Sequence, residues 1–266
     1  MNILVTNDDG IDSPGLWALA EALSHVGNIL LVAPEEQQSG IGTGVSFSRD
    51  GVTINNVPSP LPGVNAYAIG GTPSDCVIIG LKYISKNHID LIVSGINIGP
   101  NVGRDIPYSG TVMATLGGFY RKIPSIAVSL AVTDKNEKAR FDVAAQFAAT
   151  VAVSVKTGDI DARSIININV PNLPPGEIKG VKVTRTADFG YVHLAELNGS
   201  PGKAVYNTVT RQPDEAALET GTDVWAIKEG YISVTPIKLE VTHHELIPVI
   251  EECVEEFDCG YLGNML

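Results

Sequence analysis

The sequence predicts an α/β fold in which a doubly wound, mostly parallel sheet is covered by helices on both faces. Short, continuously apolar runs alternate with helical patterns along the first half of the chain. Such runs are typical of strands buried on both faces of a parallel sheet. The chain has 266 residues, of which 44% are hydrophobic and 18% charged, so it can bury a substantial core without disulfide cross-links. This alternation of strand and helix predicts the doubly wound arrangement.

The elements of the first half follow one another in a regular order. The apolar runs predict strands at 3–5, 29–33, 91–93 and 126–128, and the intervening patterns predict helices at 14–26, 75–86 and 111–120. Pro14 near the start of the first helix, and Ser74 with Asp75 at the start of the second, are residues that favour helix N-termini.

The second half of the chain has a different pattern. A long helix at 141–156 and a strand at 165–170 are predicted, followed by a proline-rich turn or linker at 171–176. From 181 to 209 an extended, polar alternation interrupted by glycine and proline predicts additional β-hairpins. A strand at 231–241 and an amphipathic C-terminal helix at 246–257 complete the chain. The apolar face of that helix is expected to carry Ile250, Val254 and Phe257.

Composition and charge narrow the classes of function. The formal net charge of −12 repels a polyanion at long range, so no nucleic acid polymer is expected as a partner. A small phosphorylated metabolite remains compatible with this charge, because a bound cation can reverse the local field. No run approaches the roughly 18 apolar residues of a membrane-spanning helix, and no signal-peptide pattern precedes the first strand. Three scattered cysteines, Cys76, Cys253 and Cys259, suit a reducing cytosol. We expect a cytoplasmic protein with no membrane partner.

Asn7, Asp8, Asp9 and Gly10 follow the first predicted strand at its carboxyl end, which is the edge where open α/β sheets bind ligands. Both carboxylates can converge at a strand-to-loop turn, and Gly10 permits a tight turn after them. Two hard anionic oxygens suit Mg²⁺ or Mn²⁺. The alternative is an ordinary turn without a ligand, because these residue types are common in turns.

Two further loops lie near the same predicted edge. The polar loop at 35–40 follows the second strand, and a hydroxyl within it could reach the same ion. The glycine-rich segment at 40–44 resembles a phosphate-binding loop, but no strand directly precedes it, so a flexible loop is the favoured interpretation. The segment at 70–75 leads into a helix and has the alternative of being only a turn and helix cap.

The densest group of candidate residues lies between Ser94 and Thr111. It contains Asn97 and Asn101 among several glycines, and then Ser109 and Gly110 at the start of a predicted helix. Glycines let the backbone approach a ligand, amides supply neutral oxygens or donors, and free N–H groups at a helix start bind anions. A phosphate pocket is predicted, with a connection that binds nothing as the alternative. These loops carry no His or Cys, so a zinc site is not expected in them.

Taken together, five motifs from separate loops resemble the survival protein E (SurE) family of nucleotidases. They are Asn-Asp-Asp-Gly at 7–10, Pro34 with Gln-Ser-Gly at 38–40, Gly-Thr-Pro-Ser-Asp-Cys at 71–76, Ser-Gly-Ile-Asn at 94–97 with Gly99 and Asn101, and Tyr-Ser-Gly-Thr-Val at 108–112. The resemblance spans nearly the whole chain. Residues 230–236 also resemble the late strand motif of the family, although Glu240 stands where Asp is expected before Val-Thr.

The resemblance implies a Rossmann-like fold and a single SurE-like α/β domain over residues 1–266. Residues 1–175 would form the core with the metal site, and residues 176–266 the hairpin and C-terminal segment that builds a homodimer or homotetramer. The implied activity is that of a metal-dependent 5′-nucleotidase acting on nucleoside monophosphates, with 3′-nucleotidase and exopolyphosphatase activity on short polyphosphate. One divalent ion per subunit, Mn²⁺ or Mg²⁺, would be held by Asp8, Asp9, Ser39 and Asn97.

A mechanistic hypothesis, in which the bound ion activates a water that attacks phosphorus, assigns roles to individual residues. Asp8, Asp9 and Asn97 are the expected catalytic residues. The expected substrate-binding residues, which hold phosphate oxygens, are Asn101, Ser109, Gly110 and Thr111. Three alternatives remain open: a phosphatase with an aspartyl-phosphate intermediate, whose usual Asp-x-Asp spacing is absent, a non-catalytic metal- or nucleotide-binding regulatory module, and a structural subunit.

Overall fold

A computed structural model describes residues 1–46, 51–132, 137–160, 165–190, 193–198, 205–210 and 218–255. The strands are β1 Asn2–Thr6, β2 Asn28–Pro34, β3 Ile54–Val57, β4 Asn65–Ile69, β5 Leu91–Ile98, β6 Ser125–Ala131, β7 Ile165–Pro171, β8 Val181–Val183, β9 His193–Asn198, β10 Val205–Thr210 and β11 Ile232–Ile237. The α-helices are α1 Pro14–Ser24, α2 Pro73–Ile79, α3 Gly110–Ala114, α4 Leu116–Phe119, α5 Phe141–Thr157, α6 Asp223–Lys228 and α7 Ile247–Glu255.

Nine of these strands form one mixed sheet in the order β3-β4-β2-β1-β5-β6-β7-β11-β8. The pairs from β4 through β7 are all parallel, whereas β3 and β11 run antiparallel to β4 and β7. β1 lies between β2 and β5, with Ile3 opposite both Ile29 and Leu91. The chain therefore changes direction across the sheet at β1, and the carboxyl end of β1 is a point where ligands bind in such sheets.

Alternate residues of β1 enter hydrophobic clusters on opposite faces of the sheet. Ile3 and Val5 pack with residues of α1 and α5, while Leu4 packs with Val77 of α2 and Ala114 of α3. All three β1 side chains are fully buried. Burial of each side chain stabilises the fold by roughly 1.5–3 kcal/mol, so the two helical layers hold β1 from both faces.

The predicted α/β fold with a doubly wound, mostly parallel sheet is confirmed. The predicted hairpin in the second half is present as the antiparallel pair β9 and β10. The second predicted helix is shorter than expected, because α2 passes into one turn of π-helix at Gly80–Ile84. β3 and β4 had no counterpart in the predictions. β3 is a largely exposed edge strand with two asparagines, so it lacks the apolar run that marks a buried strand.

The second half of the chain contributes to the same sheet as the first. β11 pairs with β7, and β8 pairs with β11. The expected C-terminal helix is present as α7, and Phe257 lies outside the described residues. Residues 191–192 and 199–204 of the predicted hairpin segment also lie outside them. Within the described part of the chain, no helix is long and apolar enough to cross a membrane.

Candidate functional site

The turn after β1 is closed by the side chain of Asn7. Its Oδ1 accepts a hydrogen bond from the Gly10 N–H at 3.2 Å, and its Nδ2 donates to the Gly10 carbonyl at 2.9 Å. Gly10 has φ +96°, a conformation that glycine adopts without the steric cost of a Cβ. This turn holds Asp8 and Asp9 at the carboxyl end of β1, in the place that the sequence predicted.

Asp8 is almost fully buried, with 4% of its surface exposed. Its Oδ1 accepts a hydrogen bond from the hydroxyl of Thr111. Gly110 packs directly against it, since a Cβ on Gly110 would lie 2.8 Å from the Asp8 Cβ. Burial raises the pKa of Asp8 to about 6; the bond from Thr111 opposes this rise and the charge on Asp9 adds to it. Asp8 is therefore a carboxylate whose charge the surrounding protein does not fully compensate.

Asp9 connects β1 to the end of β5 and to the loop after β2. Its Oδ2 accepts a hydrogen bond from the Ile98 N–H at 3.2 Å, and its Oδ1 lies 3.4 Å from Nε2 of Gln37. Asp9 is half-buried, and this burial raises the pKa of its carboxyl. Two neighbouring carboxylates thus share a site in which both are harder to ionise than in water.

Gln37 joins Asp9 to Ser39. Its Nε2 donates to the Ser39 Oγ at 2.9 Å, in addition to its contact with Asp9. The same loop is attached to β1, because the Gln38 N–H donates to the Asp8 carbonyl at 2.7 Å. The sequence indicated a polar loop here without distinguishing Gln37. The amide group of Gln37 contacts two of the oxygens that were predicted to share a cation.

Asn97 reaches this edge through an irregularity in β5. The pairing of β5 with β6 shifts between Ser94 and Asn97. Gly95 has φ +141°, and a Cβ at this position would lie 2.3 Å from the Val128 carbonyl oxygen, so a side chain has no room here. The Asn97 Nδ2 donates to the Gly99 carbonyl at 2.8 Å. This bond uses the amide nitrogen and leaves the amide oxygen as the atom available to a cation.

The side chains at this edge supply only oxygen ligands that suit a hard cation. Asp8 and Asp9 contribute carboxylates, Ser39 a hydroxyl and Asn97 an amide oxygen. The described residues contain no group of three or more His, Cys, Asp or Glu that could hold a metal ion. A cation at this edge would therefore need the neutral oxygens of Ser39 and Asn97 beside the two carboxylates. This donor set fits Mg²⁺ or Mn²⁺ and would offset the uncompensated charge on Asp8.

Of the predicted phosphate-binding residues, Gly110 and Thr111 lie against Asp8. Ser109 precedes them as the N-cap of α3, where its Oγ accepts a hydrogen bond from the Val112 N–H at 3.0 Å. The hydroxyl hydrogen of Ser109 is not used in this bond. The structure thus places Gly110 and the Thr111 hydroxyl against the carboxylate of Asp8, with Ser109 next to them in the chain as the helix cap.

Asn101 lies in the loop after β5 and is held by a network of buried side chains from β6 and β7. Its N–H donates to the Asn169 Oδ1 at 2.8 Å, and its Nδ2 donates to the Ser129 Oγ at 2.8 Å. Its carbonyl accepts from the amides of Asn167 and Asn169, at 2.8 and 3.0 Å. Asn101 makes no hydrogen bond to Asp8 or Asp9. Its surroundings show how the loop after β5 is anchored.

Three anchoring residues of this loop were missing from the sequence predictions. Asn167 and Asn169 are buried amides two positions apart in β7, and this polar period within an apolar strand was a signal available in the sequence. Asp223, at the start of α6, accepts hydrogen bonds from the N–H groups of Gly103 at 2.8 Å and Ala187 at 2.9 Å. Burial raises the pKa of Asp223. Nothing in the sequence distinguishes it from an ordinary acid in a first helical turn.

Comparison with known proteins gives a consistent result. The family model described as Survival protein SurE matches residues 3–193. A protein of Dehalococcoides mccartyi strain CBDB1, named 5′-nucleotidase SurE, is 44% identical over 237 residues, which cover 89% of this chain and 88% of that protein. A Moorella thermoacetica protein of the same name is 39% identical over 245 residues, covering 92% of each.

A solved structure agrees with these sequence relatives. The crystal structure of the SurE protein from Aquifex aeolicus superposes with a TM-score of 0.80 at 36% sequence identity. The match covers 95% of this chain and 99% of the Aquifex chain, so it includes both halves of the sheet.

Proposed function

The chain belongs to the SurE family, and from this we propose that it is a metal-dependent 5′-nucleotidase that hydrolyses nucleoside monophosphates. The names of its relatives support the 5′-nucleotidase activity. We extend the proposal to 3′-nucleotides and short polyphosphate as further substrates, and to the cytoplasm as the location.

The observation that carries the proposal is the pair of adjacent, partly or fully buried carboxylates at the carboxyl end of β1. Burial raises the pKa of both Asp8 and Asp9, which is the expected state of carboxylates arranged to share a cation. We infer one divalent ion per subunit, Mn²⁺ or Mg²⁺, held by Asp8, Asp9, Ser39 and Asn97. When bound, such an ion would polarise the phosphate and lower the pKa of a nearby water molecule.

The residues of the chain have separable tasks in this proposal. Asp8 is fixed by Thr111 and is suited to holding charge in one position. Burial raises the pKa of both carboxylates, so either could accept a proton from water, and Asp9 is the more exposed of the two. The water attacks phosphorus, the bond between phosphorus and the nucleoside oxygen breaks, and that oxygen takes up a proton. The products are a nucleoside and inorganic phosphate.

The phosphate oxygens need donors as charge is redistributed during this step. We assign this task to Asn101, Ser109, Gly110 and Thr111. The Ser109 hydroxyl accepts a hydrogen bond from Val112 and keeps its own hydrogen for donation, and the lack of a side chain on Gly110 allows close approach to Asp8. Asn167, Asn169 and Asp223 would contribute indirectly, by holding the loop that carries Asn101.

Phosphate release tests the proposal. Wild type and Asp8→Asn are compared on 5′- and 3′-mononucleotides and on tripolyphosphate, with Mn²⁺ or Mg²⁺ and with EDTA. We expect metal-dependent release by the wild type that is lost in the variant. Calorimetric titration with Mn²⁺ alone gives an independent readout of the metal site. Metal binding without release from any substrate would contradict the enzyme and favour a non-catalytic regulatory module.

Oligomerisation is the remaining part of the proposal, with a homodimer or homotetramer as the expected state. α7 leaves Val249, Ile250 and Val254 about half exposed, at 51%, 55% and 51%. A row of apolar side chains on an amphipathic helix is typical of an interface. Light scattering after gel filtration measures the mass directly, and a monomer at micromolar concentration would contradict this part.

A further inference from the structure

Exposed apolar side chains lie on the three segments that carry Ser39, Asn97 and Ser109. Tyr108 is 69% exposed, Ile98 47% and Ile41 38%. Each lies close to a site residue: the Ile98 N–H donates to Asp9, Tyr108 lies two residues before Gly110, which packs on Asp8, and Ile41 lies two residues after Ser39. Exposed apolar groups beside a buried polar centre often form part of a binding surface.

The backbone of Tyr108 is anchored by its neighbours. It ends a turn of 3-10 helix at Gly103–Tyr108, directly after Pro107. Its carbonyl accepts a hydrogen bond from the Gly42 N–H at 3.0 Å, which brings the loop carrying Ile41 beside it. Gly42 itself approaches closely, since a Cβ there would lie 2.9 Å from the Pro107 carbonyl oxygen. An exposed ring on an anchored backbone loses little conformational freedom when it binds a ligand.

The short distance along the chain from Tyr108 to Gly110 suits a ligand that extends out of the phosphate site. Two residues span at most about 7 Å, so the Tyr108 backbone lies near the residues that we propose hold phosphate. The net charge of −12 gives an anionic substrate no general attraction to the protein. Contacts with the uncharged part of the substrate would therefore add affinity that the field of the protein does not supply.

We propose that Tyr108 recognises the base of the substrate, with its ring stacked on the face of the nucleobase and Ile41 and Ile98 bordering the same surface. This inference rests on the proposed nucleotidase function and specifies how that site distinguishes a nucleotide from other phosphate monoesters. Stacking on an aromatic ring is available to every base, because each base has a π-face. The phenol hydroxyl has no part in it.

The experiment compares two substrates that share ribose and a 5′-phosphate and differ in the base. KM and kcat are measured for adenosine 5′-monophosphate and for ribose 5-phosphate, using wild type, Tyr108→Ala and Tyr108→Phe. We expect Tyr108→Ala to raise KM for the nucleotide about tenfold and to leave both constants for ribose 5-phosphate unchanged. Tyr108→Phe should keep the wild-type constants, because the ring remains.

A matched control is Tyr83→Ala, because Tyr83 is 68% exposed and lies in the π-helical turn after α2. Tyr83→Ala should leave KM and kcat unchanged for both substrates. Equal losses on the two substrates in Tyr108→Ala, or a loss in Tyr108→Phe as large as that in Tyr108→Ala, would overturn base stacking while leaving the nucleotidase intact. Absence of release from both substrates by the wild type would overturn the proposed function, and this inference with it.

Discussion

The hydroxyl of Thr111 donates a hydrogen bond to Oδ1 of Asp8, across 103 positions of sequence. Both residues are buried, so this bond connects the start of α3 to the carboxyl end of β1 inside the protein. The bond favours the charged form of Asp8 and opposes the effect of burial on its pKa. It also occupies one carboxylate oxygen and so fixes the direction in which the other points.

Thr111→Val should weaken metal binding while preserving the shape of the side chain. Residues that orient a metal ligand typically contribute 10–100-fold to affinity, so we expect the dissociation constant for Mn²⁺ to rise at least about tenfold. Thr111→Ser keeps the hydroxyl and should stay near wild type. Calorimetric titration measures all three proteins, and an unchanged constant in Thr111→Val would show that Asp8 needs no orienting bond.

The raised pKa of Asp8 predicts that Asp8→Asn stabilises the protein in EDTA. The pKa of Asp8 is about 6 in the folded protein, whereas its ordinary value, which applies to the unfolded chain, is 3.8. Between pH 3.8 and pH 6 the folded state therefore binds more protons than the unfolded state. Stability contributed by Asp8 therefore falls as the pH rises through this window. The ionised carboxylate of Asp8 lowers the free energy of unfolding by about 3 kcal/mol at pH 7 and by about half of that at pH 5.

Urea unfolding at the two pH values measures this difference between wild type and Asp8→Asn. The variant should be the more stable protein in EDTA, by a margin that is larger at pH 7. Saturating Mn²⁺ should reverse the order, because only the wild type gains the free energy of binding. A variant that is less stable than wild type at pH 7 in EDTA would refute the assignment of an uncompensated charge to Asp8.

The accuracy of the sequence predictions depended on how local the relevant contacts are. Asp8 and Asp9 were located correctly because a strand and its following turn are encoded by adjacent residues. Gln37 was missed because its importance comes from contact with Asp9, 28 positions earlier in the sequence. The partners of Asn101 lie 28 and 68 positions away, on β6 and β7. Those distances are set by strand pairing, which periodicity in a single sequence does not specify.

Gly110→Ala should impair the metal site. No positive φ opposes alanine at Gly110, but its Cβ would lie 2.8 Å from the Asp8 Cβ and 2.9 Å from the Asp8 Oδ2. The added methyl group must displace the carboxylate, so we expect at least about a tenfold loss of Mn²⁺ affinity. Gly176→Ala is the matched control, because a Cβ at Gly176 meets nothing within 4 Å. Equal Mn²⁺ affinity in the two variants would contradict close packing at Asp8.

Asp223→Asn should weaken substrate binding by the loop after β5 without changing the affinity of the metal site. One carboxylate oxygen accepts the Gly103 N–H at 2.8 Å, and the other accepts those of Ala187 and Val224, both at 2.9 Å. An amide in this place turns an NH₂ group toward at least one of these donors. A buried N–H left unsatisfied costs about 1–3 kcal/mol, which lowers Tm by roughly 5 °C in a chain of this size.

Because Gly103 lies two residues after Asn101, loosening this anchor should raise KM for the nucleotide while the calorimetric Mn²⁺ affinity stays at its wild-type value. Asp188→Asn is the control: Asp188 pairs with Arg104 on the same loop, but its side chain is 93% exposed, and such a pair contributes little. Its Tm and KM should match wild type. If Asp223→Asn lost Mn²⁺ affinity and substrate affinity together, the loop and the carboxylates would form one unit, and the division between phosphate-binding loop and metal site would be wrong.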